Sequence, residues 1–184
     1  MAVMQKCPSA IVQGEDSGWT PLHIASGMGN VKLVKLFLEN GTSSLAYVKN
    51  KEGLSAFHIA AQEGNVLVMK EFITVCPDIY ELLDNTGKTA LHVAAERGEQ
   101  EAVNFFLERP DLMGLINEQD EEGNTPMHLA AIRGCYKVLL SLAHRRGVDI
   151  NATNKEGLTT MDKSVSSTNL GIHLKVCPFC PAEC

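Results

Sequence analysis

Histidine and cysteine are the side chains of this sequence best suited to chemistry, and both recur in patterns. Four of the six histidines, His23, His58, His92 and His128, stand 35, 34 and 36 residues apart. The sixth, His173, precedes three closely spaced cysteines. Imidazole and thiolate groups bind zinc and act as acids, bases or nucleophiles. The elements around them decide which of these is possible.

Each of the four spaced histidines lies in the same seven-residue word. The words are residues 20–26 (TPLHIAS), 55–61 (SAFHIAA), 89–95 (TALHVAA) and 125–131 (TPMHLAA). A word that returns at a period of this size predicts an array of stacked units, each of which repeats one supersecondary structure. One such unit cannot bury its apolar face alone, whereas a stack of units can.

The residues around each word predict a turn, a short helix and a second, longer helix. A hydroxyl residue stands where it can cap the first helix, and proline follows it in two words. Glycine is expected to end that helix, and another glycine precedes each word in a polar turn. The capping residues are Thr20, Ser55, Thr89 and Thr125. The helix-ending glycines are Gly29, Gly64, Gly98 and Gly134, and the turn glycines are Gly18, Gly53, Gly87 and Gly123.

The pattern Asp-x-x-Gly-x-Thr-Pro-Leu-His-x-Ala resembles the ankyrin repeat, over roughly residues 5–162. The resemblance implies an all-α solenoid of helix-turn-helix repeats joined by hairpin-like loops, with no strands beyond those turns. It also implies a non-enzymatic module that binds another protein on its concave face. The repeats are expected at residues 15–47, 48–81, 82–115 and 116–150.

Both ends of the sequence depart from the repeat. Residues 1–14 are interpreted as the end of a truncated upstream repeat, and residues 15–162 as the array of about four repeats and the start of a fifth. In that fifth unit Asp162 takes the place of histidine, and we expect one terminal helix over residues 160–165. Residues 163–184 are expected to hold the end of this helix and a loose, cysteine-rich tail.

The composition restricts the classes of partner. The chain has 22 acidic and 16 basic residues, a formal net charge of −6, and no basic cluster, which disfavours nucleic acid. It has no apolar run near the length of a membrane span and no apolar stretch typical of a secretory signal. We therefore expect a cytoplasmic protein that binds protein, with no small-molecule substrate, no cofactor and no catalytic residue.

The repeat histidines allow a metal reading and a structural one. Equivalent positions of stacked units lie about 8–10 Å apart, too far to converge on one zinc ion. The ankyrin resemblance implies instead that each histidine bonds the threonine hydroxyl and neighbouring backbone. The tail residues His173, Cys177, Cys180 and Cys184 offer four ligands within twelve residues. An unstructured tail is favoured over zinc there, and iron–sulphur binding is disfavoured further.

The spacers between repeats carry a second resemblance. Residues 76–84, 115–120 and 123–128 are similar to the plant accelerated-cell-death-type ankyrin proteins, in which the array precedes a membrane domain named after Pro-Gly-Gly. That family is linked to defence and stress signalling, and its membrane domain has no counterpart in this sequence. The resemblance implies a place at the cytosolic face of the plasma membrane and association with membrane-bound relatives. An alternative function is a cytosolic fragment that self-associates or competes with a full-length relative.

Positions that vary beside the repeated words are the candidates for partner binding. They flank the turn glycine or precede the helix-ending glycine, and the resemblance implies that both sets face the concave side. Trp19 has two interpretations of equal standing: it anchors a partner protein, or it covers a neighbouring turn of the upstream unit. The candidates are Asp16, Trp19, Met28, Lys51, Leu54, Gln62, Asn85, Lys88, Glu96, Arg97, Glu121, Asn124, Ile132 and Arg133.

Overall fold

The computed structural model describes residues 17–40 and 43–166, which form four helix pairs and a terminal helix. The first helices of the pairs, called inner helices, are α1 (Pro21–Gly27), α3 (Ala56–Gln62), α5 (Ala90–Arg97) and α7 (Pro126–Arg133). The second, outer helices are α2 (Val31–Asn40), α4 (Val66–Val75), α6 (Gln100–Leu107) and α8 (Tyr136–Ala143). Short 3₁₀ helices over Ser43–Tyr47, Pro77–Glu81 and Pro110–Asn117 follow the first three outer helices, and α9 is Thr160–Ser166.

Each inner helix begins at the predicted hydroxyl residue. The side chains of Thr20, Ser55, Thr89 and Thr125 accept a hydrogen bond from the backbone N–H of the histidine three residues on. The histidine ring in turn accepts the backbone N–H of the capping residue, so two otherwise unpaired donors are satisfied at each helix start. The predicted inner helices and their caps are confirmed.

The predicted glycines end the inner helices. Gly98 and Gly134 are themselves the caps, with φ of 80° and 70°. Gly29 and Gly64 follow one residue after the caps of α1 and α3 and are also left-handed. The outer helix is longer than its inner helix only in the first two repeats, because α5 to α8 all have 8 residues.

The turns stack directly on one another. Backbone hydrogen bonds join Lys51 N to Ser17 O, Asn85 N to Glu52 O, Glu121 N to Thr86 O and Lys155 N to Glu122 O. Apart from the isolated bridges Lys49–Ser55 and Thr153–Thr159, the described residues form no β-structure. The all-α solenoid predicted from the sequence is therefore the observed fold.

One apolar core runs through the stack. It extends from Leu22 in α1 to Leu142 in α8 without interruption. Phe57, fully buried at its centre, meets Phe72 and Phe106 edge-on, with ring centroids 6.0 and 6.1 Å apart. The alanines of the repeated word let successive inner helices approach closely. The result is a rigid row of inner helices whose ends all point the same way.

The terminal helix α9 falls where the sequence predicts it. Asp162 stands at the histidine position, and one of its carboxylate oxygens accepts both the backbone N–H and the hydroxyl of Thr159, at 2.8 and 2.7 Å. The domain boundaries, the upstream part-repeat and the His173, Cys177, Cys180 and Cys184 tail concern ends that lie wholly or partly outside the described residues. Within the described residues no helix is long and apolar enough to cross a membrane.

Candidate functional site

The four repeat histidines link each repeat to the next. The ring Nδ1 lies 2.7–2.9 Å from the hydroxyl oxygen of the capping residue and accepts a hydrogen bond from that hydroxyl. Because Nδ1 also accepts a backbone N–H, the ring proton must sit on Nε2. Nε2 then donates to a carbonyl of the following repeat at 3.0–3.2 Å. The acceptors are the carbonyls of Leu54, Lys88, Asn124 and Leu158.

Burial keeps these rings neutral. All four histidine side chains are fully buried. Desolvation lowers the pKa of His58 and His92 to about 4, against the opposing effect of their carbonyl partners. The same cause lowers the pKa of His23 and His128. With both ring nitrogens engaged, these histidines are structural, as predicted. In residues 17–40 and 43–166, no cluster of histidine, cysteine or carboxylate side chains could hold a metal ion.

A groove opens between the turn tips and the ends of the inner helices, and it is the candidate site. It encloses about 510 Å³ and spans repeats two to four. It is lined by Glu52, Leu54, Gln62, Asp84, Lys88, Val93, Glu96, Arg97, Arg133 and Cys135.

An ion-pair network centred on Glu96 shapes one wall of the groove. The Lys88 ammonium lies 2.8 Å from one carboxylate oxygen, and the Arg133 guanidinium lies 2.6 Å from the other. Partial burial acts to raise the pKa of Glu96, but the hydrogen bonds and charges of Lys88 and Arg133 outweigh it and hold that pKa below its usual value. The network fixes Arg133, from repeat four, against repeat three, while 59% of the Arg133 side chain stays exposed.

Two apolar side chains lie among the charged residues of the groove. Leu54 and Val93 both line it and belong to a small buried cluster with Ile59. Trp19 packs on this cluster, and its ring centroid is 5.9 Å from that of His23. Because Leu54 and Val93 are only 7% and 6% exposed, charged side chains make up most of the accessible lining. In the described part of the chain, the groove holds no nucleophile paired with a base.

Comparison with known protein families identifies the repeats. A model of the family described as ankyrin repeats (3 copies) matches residues 2–78 and 57–154, which is most of the sequence. The chain belongs to the ankyrin-repeat family. Ankyrin repeats are a protein–protein interaction fold, and the histidine, threonine and glycine positions described above are the ones that build it here.

Several known proteins share the array. The Nuclear factor NF-kappa-B p105 subunit of Gallus gallus is 30% identical over 149 residues, covering 80% of this chain and 15% of the relative. NF-kappa-B inhibitor zeta of Bos taurus is 27% identical, covering 76% of this chain and 24% of the relative. Target of rapamycin complex 2 subunit AVO2 of Saccharomyces cerevisiae is 28% identical, covering 72% and 31%. The chain thus spans about a third or less of the length of these relatives.

The ankyrin groove gathers six of the candidate partner-binding residues. They are Leu54, Gln62, Lys88, Glu96, Arg97 and Arg133. Met28, Lys51, Asn85 and Glu121 are exposed outside its lining, and Ile132 is half-buried. Asp16 lies outside the described residues. Trp19 is half-buried, and the surface it covers belongs to the following repeats.

Asn124, a further candidate, is buried, with only 1% of the residue exposed. Its Nδ2 donates to the carboxylate of Glu122 at 3.1 Å, and its Oδ1 accepts from Nδ2 of Asn154 at 3.1 Å. Asn124 therefore ties repeat four to the fifth unit. Leu54 is buried too, and it remains part of the groove lining.

Four groove residues are missing from the final candidates, although Glu52 is one of the variable positions that flank a turn glycine. Glu52 adjoins Lys51 at a turn tip, and Asp84 holds its turn by accepting the backbone N–H groups of Thr86 and Lys88. Val93 lies inside the repeated word, where variation is small. Cys135 follows the helix-ending glycine at the position of Asn30, Asn65 and Glu99. Because asparagine occupies this position in the first two repeats, the sequence marks Cys135 as a variable residue. The sequence gives no such indication for Val93.

Proposed function

We propose that this ankyrin array is a non-enzymatic module that binds a partner protein in the groove between its turn tips and inner-helix ends. The observation that carries the proposal is a groove lined mainly by charged side chains, which stand on stacked turns and on the ends of packed inner helices. Tryptophan and arginine are frequent energetic anchors at protein interfaces, and Arg97 and Arg133 both reach this groove. A preorganised surface loses little conformational entropy on binding.

The cellular setting belongs to the same proposal. The similarity of the spacers to plant accelerated-cell-death-type proteins supports a role in plant defence or stress signalling. It also supports a cytoplasmic location, including the cytosolic face of the plasma membrane. A second candidate function, self-association or competition with a full-length relative, is favoured by one observation. The stretch that matches this chain covers only 15–31% of the first relatives, so in each of them it is one part of a larger protein.

Photo-crosslinking from inside the groove tests the proposal. A photoreactive residue placed at Arg97, which lines the groove, should crosslink one discrete protein in plant-cell extract. The matched control carries the same residue at Lys137, which is exposed on outer helix α8. Crosslinking from Arg97 and not from Lys137 is the expected result. A product from Lys137 alone, with both proteins equally helical by circular dichroism, would place the working surface on the outer helices. A crosslink to a second copy or a full-length relative would favour the second candidate.

A further inference from the structure

Four exposed residues form a column along the inner-helix ends. Met28, Glu63, Arg97 and Arg133 each stand five residues after a repeat histidine and directly before the glycine that turns the chain. Met28 and Glu63 cap α1 and α3, and Arg97 and Arg133 are the last residues of α5 and α7. All four are exposed, Met28 by 75%. The column therefore presents apolar, acidic, basic and basic side chains in that order.

The backbone of the column is fixed by packing on two sides. Each residue precedes a glycine with φ between 66° and 80°, which fixes the direction in which the chain leaves the helix. Neighbouring inner helices pack directly against one another. Packed helix axes lie about 8–10 Å apart, so successive column residues are separated by about that distance. A polyproline II segment advances about 3.1 Å per residue with three residues per turn, so every third side chain lies on the same face and is separated from the previous one by about one repeat.

The charges of the column are open to a partner. Among the described residues Arg97 and Glu63 take part in no ion pair, although Glu63 accepts a hydrogen bond from Gln62 at 3.0 Å. Arg133 uses Nε and one terminal nitrogen on a single oxygen of Glu96, which leaves its other terminal nitrogen for a further acceptor. A guanidinium held in this way is positioned for a second carboxylate.

We infer that the partner offers a segment in the polyproline II conformation with an apolar, a basic and two acidic residues at every third position. The apolar side chain lies against Met28, the basic one against Glu63, and the acidic ones against Arg97 and Arg133. This inference rests on the proposed function and specifies its partner. A helical partner would need the same order at about every seventh residue, because two turns of 3.6 residues return a side chain to the same face after about 10.5 Å.

Short labelled peptides test this order by fluorescence anisotropy with the full chain. One peptide carries leucine, lysine, glutamate and glutamate at every third position with glycine and serine between, and a second carries the reverse order. The control has the same composition with the lysine and the neighbouring glutamate exchanged. We expect forward or reverse peptide to bind about tenfold more tightly than the control at low salt, since each exposed ion pair contributes modestly. The preference should shrink at high salt.

A charge swap separates contact from a structural effect. In Arg97→Glu the preference for the matching peptide should be lost, and lysine at the facing peptide position should restore it. Lys137→Glu, a matched reversal on outer helix α8, should bind like the parent chain. The inference would be overturned if the matching and control peptides bound equally or if neither bound. It would also be overturned if a peptide with the same residues at every seventh position bound more tightly, or if lysine failed to restore binding to Arg97→Glu. If one of these outcomes occurs but the photoreactive residue at Arg97 still crosslinks a protein, only the inference fails and the proposed function stands. If no crosslink forms at Arg97, the proposed function and the inference both fail.

Discussion

The buried histidines stabilise the array through the hydrogen bonds they make when neutral. His58 and His92 each join a helix cap to the next repeat through one ring. Protonation would place a donor on Nδ1, where the hydroxyl and backbone N–H already donate, and would bury a charge. Asp162, at the histidine position of the fifth unit, reproduces only part of this arrangement. Its carboxylate accepts the two hydrogen bonds of the cap, but an ionised carboxylate has no hydrogen to donate to a following repeat.

Acid should therefore weaken the fold before the carboxylates titrate. The pKa of His58 and His92 falls to about 4 in the folded chain, from an ordinary 6.5, so the unfolded chain binds more protons between these values. Stability present above pH 6.5 is lost as the pH falls towards 4, by on the order of 3 kcal/mol for each ring. Urea unfolding at pH 7, 5.5 and 4.5 measures this loss.

A histidine variant identifies the source of that pH dependence. His92→Gln should be less stable than the parent at pH 7, yet its free energy of unfolding should fall less steeply with pH. The difference in slope should approach about 1.4 kcal/mol per pH unit, the value for one proton. Unchanged slopes, or a parent chain equally stable at pH 6.5 and 4.5, would show that the rings are not held neutral.

At this scale the sequence predicts types of residue better than their partners. The threonine–histidine bond follows from a repeated word, and it is confirmed. The burial of Asn124 depends on Asn154, which lies 30 residues away and belongs to a unit with a decayed pattern. The pairing of Glu96 with Arg133 across 37 residues was equally invisible, although both residues were candidates.

Helix and turn elements fit together through very close backbone contacts. Gly53 has φ of 82°, and a side-chain carbon there would collide with the backbone nitrogen of Asn85. Gly87 occupies the next turn with φ of 75°, but its nearest contact would be 3.0 Å, to Glu121. Both glycines need the left-handed conformation, whereas only Gly53 leaves no room for a methyl group.

Alanine at these two turns should therefore have unequal effects. Both Gly53→Ala and Gly87→Ala should lose roughly 1–2 kcal/mol for the left-handed backbone. Gly53→Ala should lose more, because the turns of repeats two and three would have to separate. Thermal or urea unfolding of the two variants gives the comparison. If both variants lost the same free energy of unfolding, the turns of repeats two and three could separate at little cost, and their contact would not be a close one.

The sequence predicts the elements well because local chemistry sets their ends. Hydroxyl caps and glycines lie within a few residues of the helices they delimit, so periodicity exposes them. Inter-repeat contacts are different: Asn65 donates to the carbonyls of Ser26 and Gly27, 39 and 38 residues away. Such bonds require the stacking register, and no local pattern contains it.

Over the whole molecule, each inner helix is stabilised by its neighbours. The residue after the repeat histidine is nearly buried in repeats two to four, where Ile59, Val93 and Leu129 are 1%, 6% and 5% exposed. The equivalent Ile24 in the first repeat is 44% exposed. In a stack where each unit contacts only adjacent units, the outermost ones open first.

Native-state hydrogen exchange should record this gradient. Amides of α3 and α5 should exchange most slowly, and those of α1 and α9 most quickly, because the latter have fewer packed neighbours. Uniform protection from α1 to α9 would mean that the array opens only as a whole. Greatest protection in α1 would contradict the stacking account directly.

The groove is a property of several repeats together, and the sequence indicates single lining residues without showing that they meet. Its lining comes from three repeats. Fold and family follow from repeated words, whereas partner choice depends on side chains that no repeat specifies. A binding measurement is therefore the decisive observation.

The most direct test is a titration of the crosslinked partner, purified, with three forms of the chain. The three forms are the parent chain and two double variants. Arg97→Glu/Arg133→Glu reverses two positive charges in the groove, and Lys70→Glu/Lys137→Glu reverses two positive charges on outer helices α4 and α8. We expect the groove pair to weaken binding tenfold or more, about 1.4 kcal/mol, and the outer pair by less than about twofold. The reverse result, with helicity unchanged in both, would contradict the groove as the working surface.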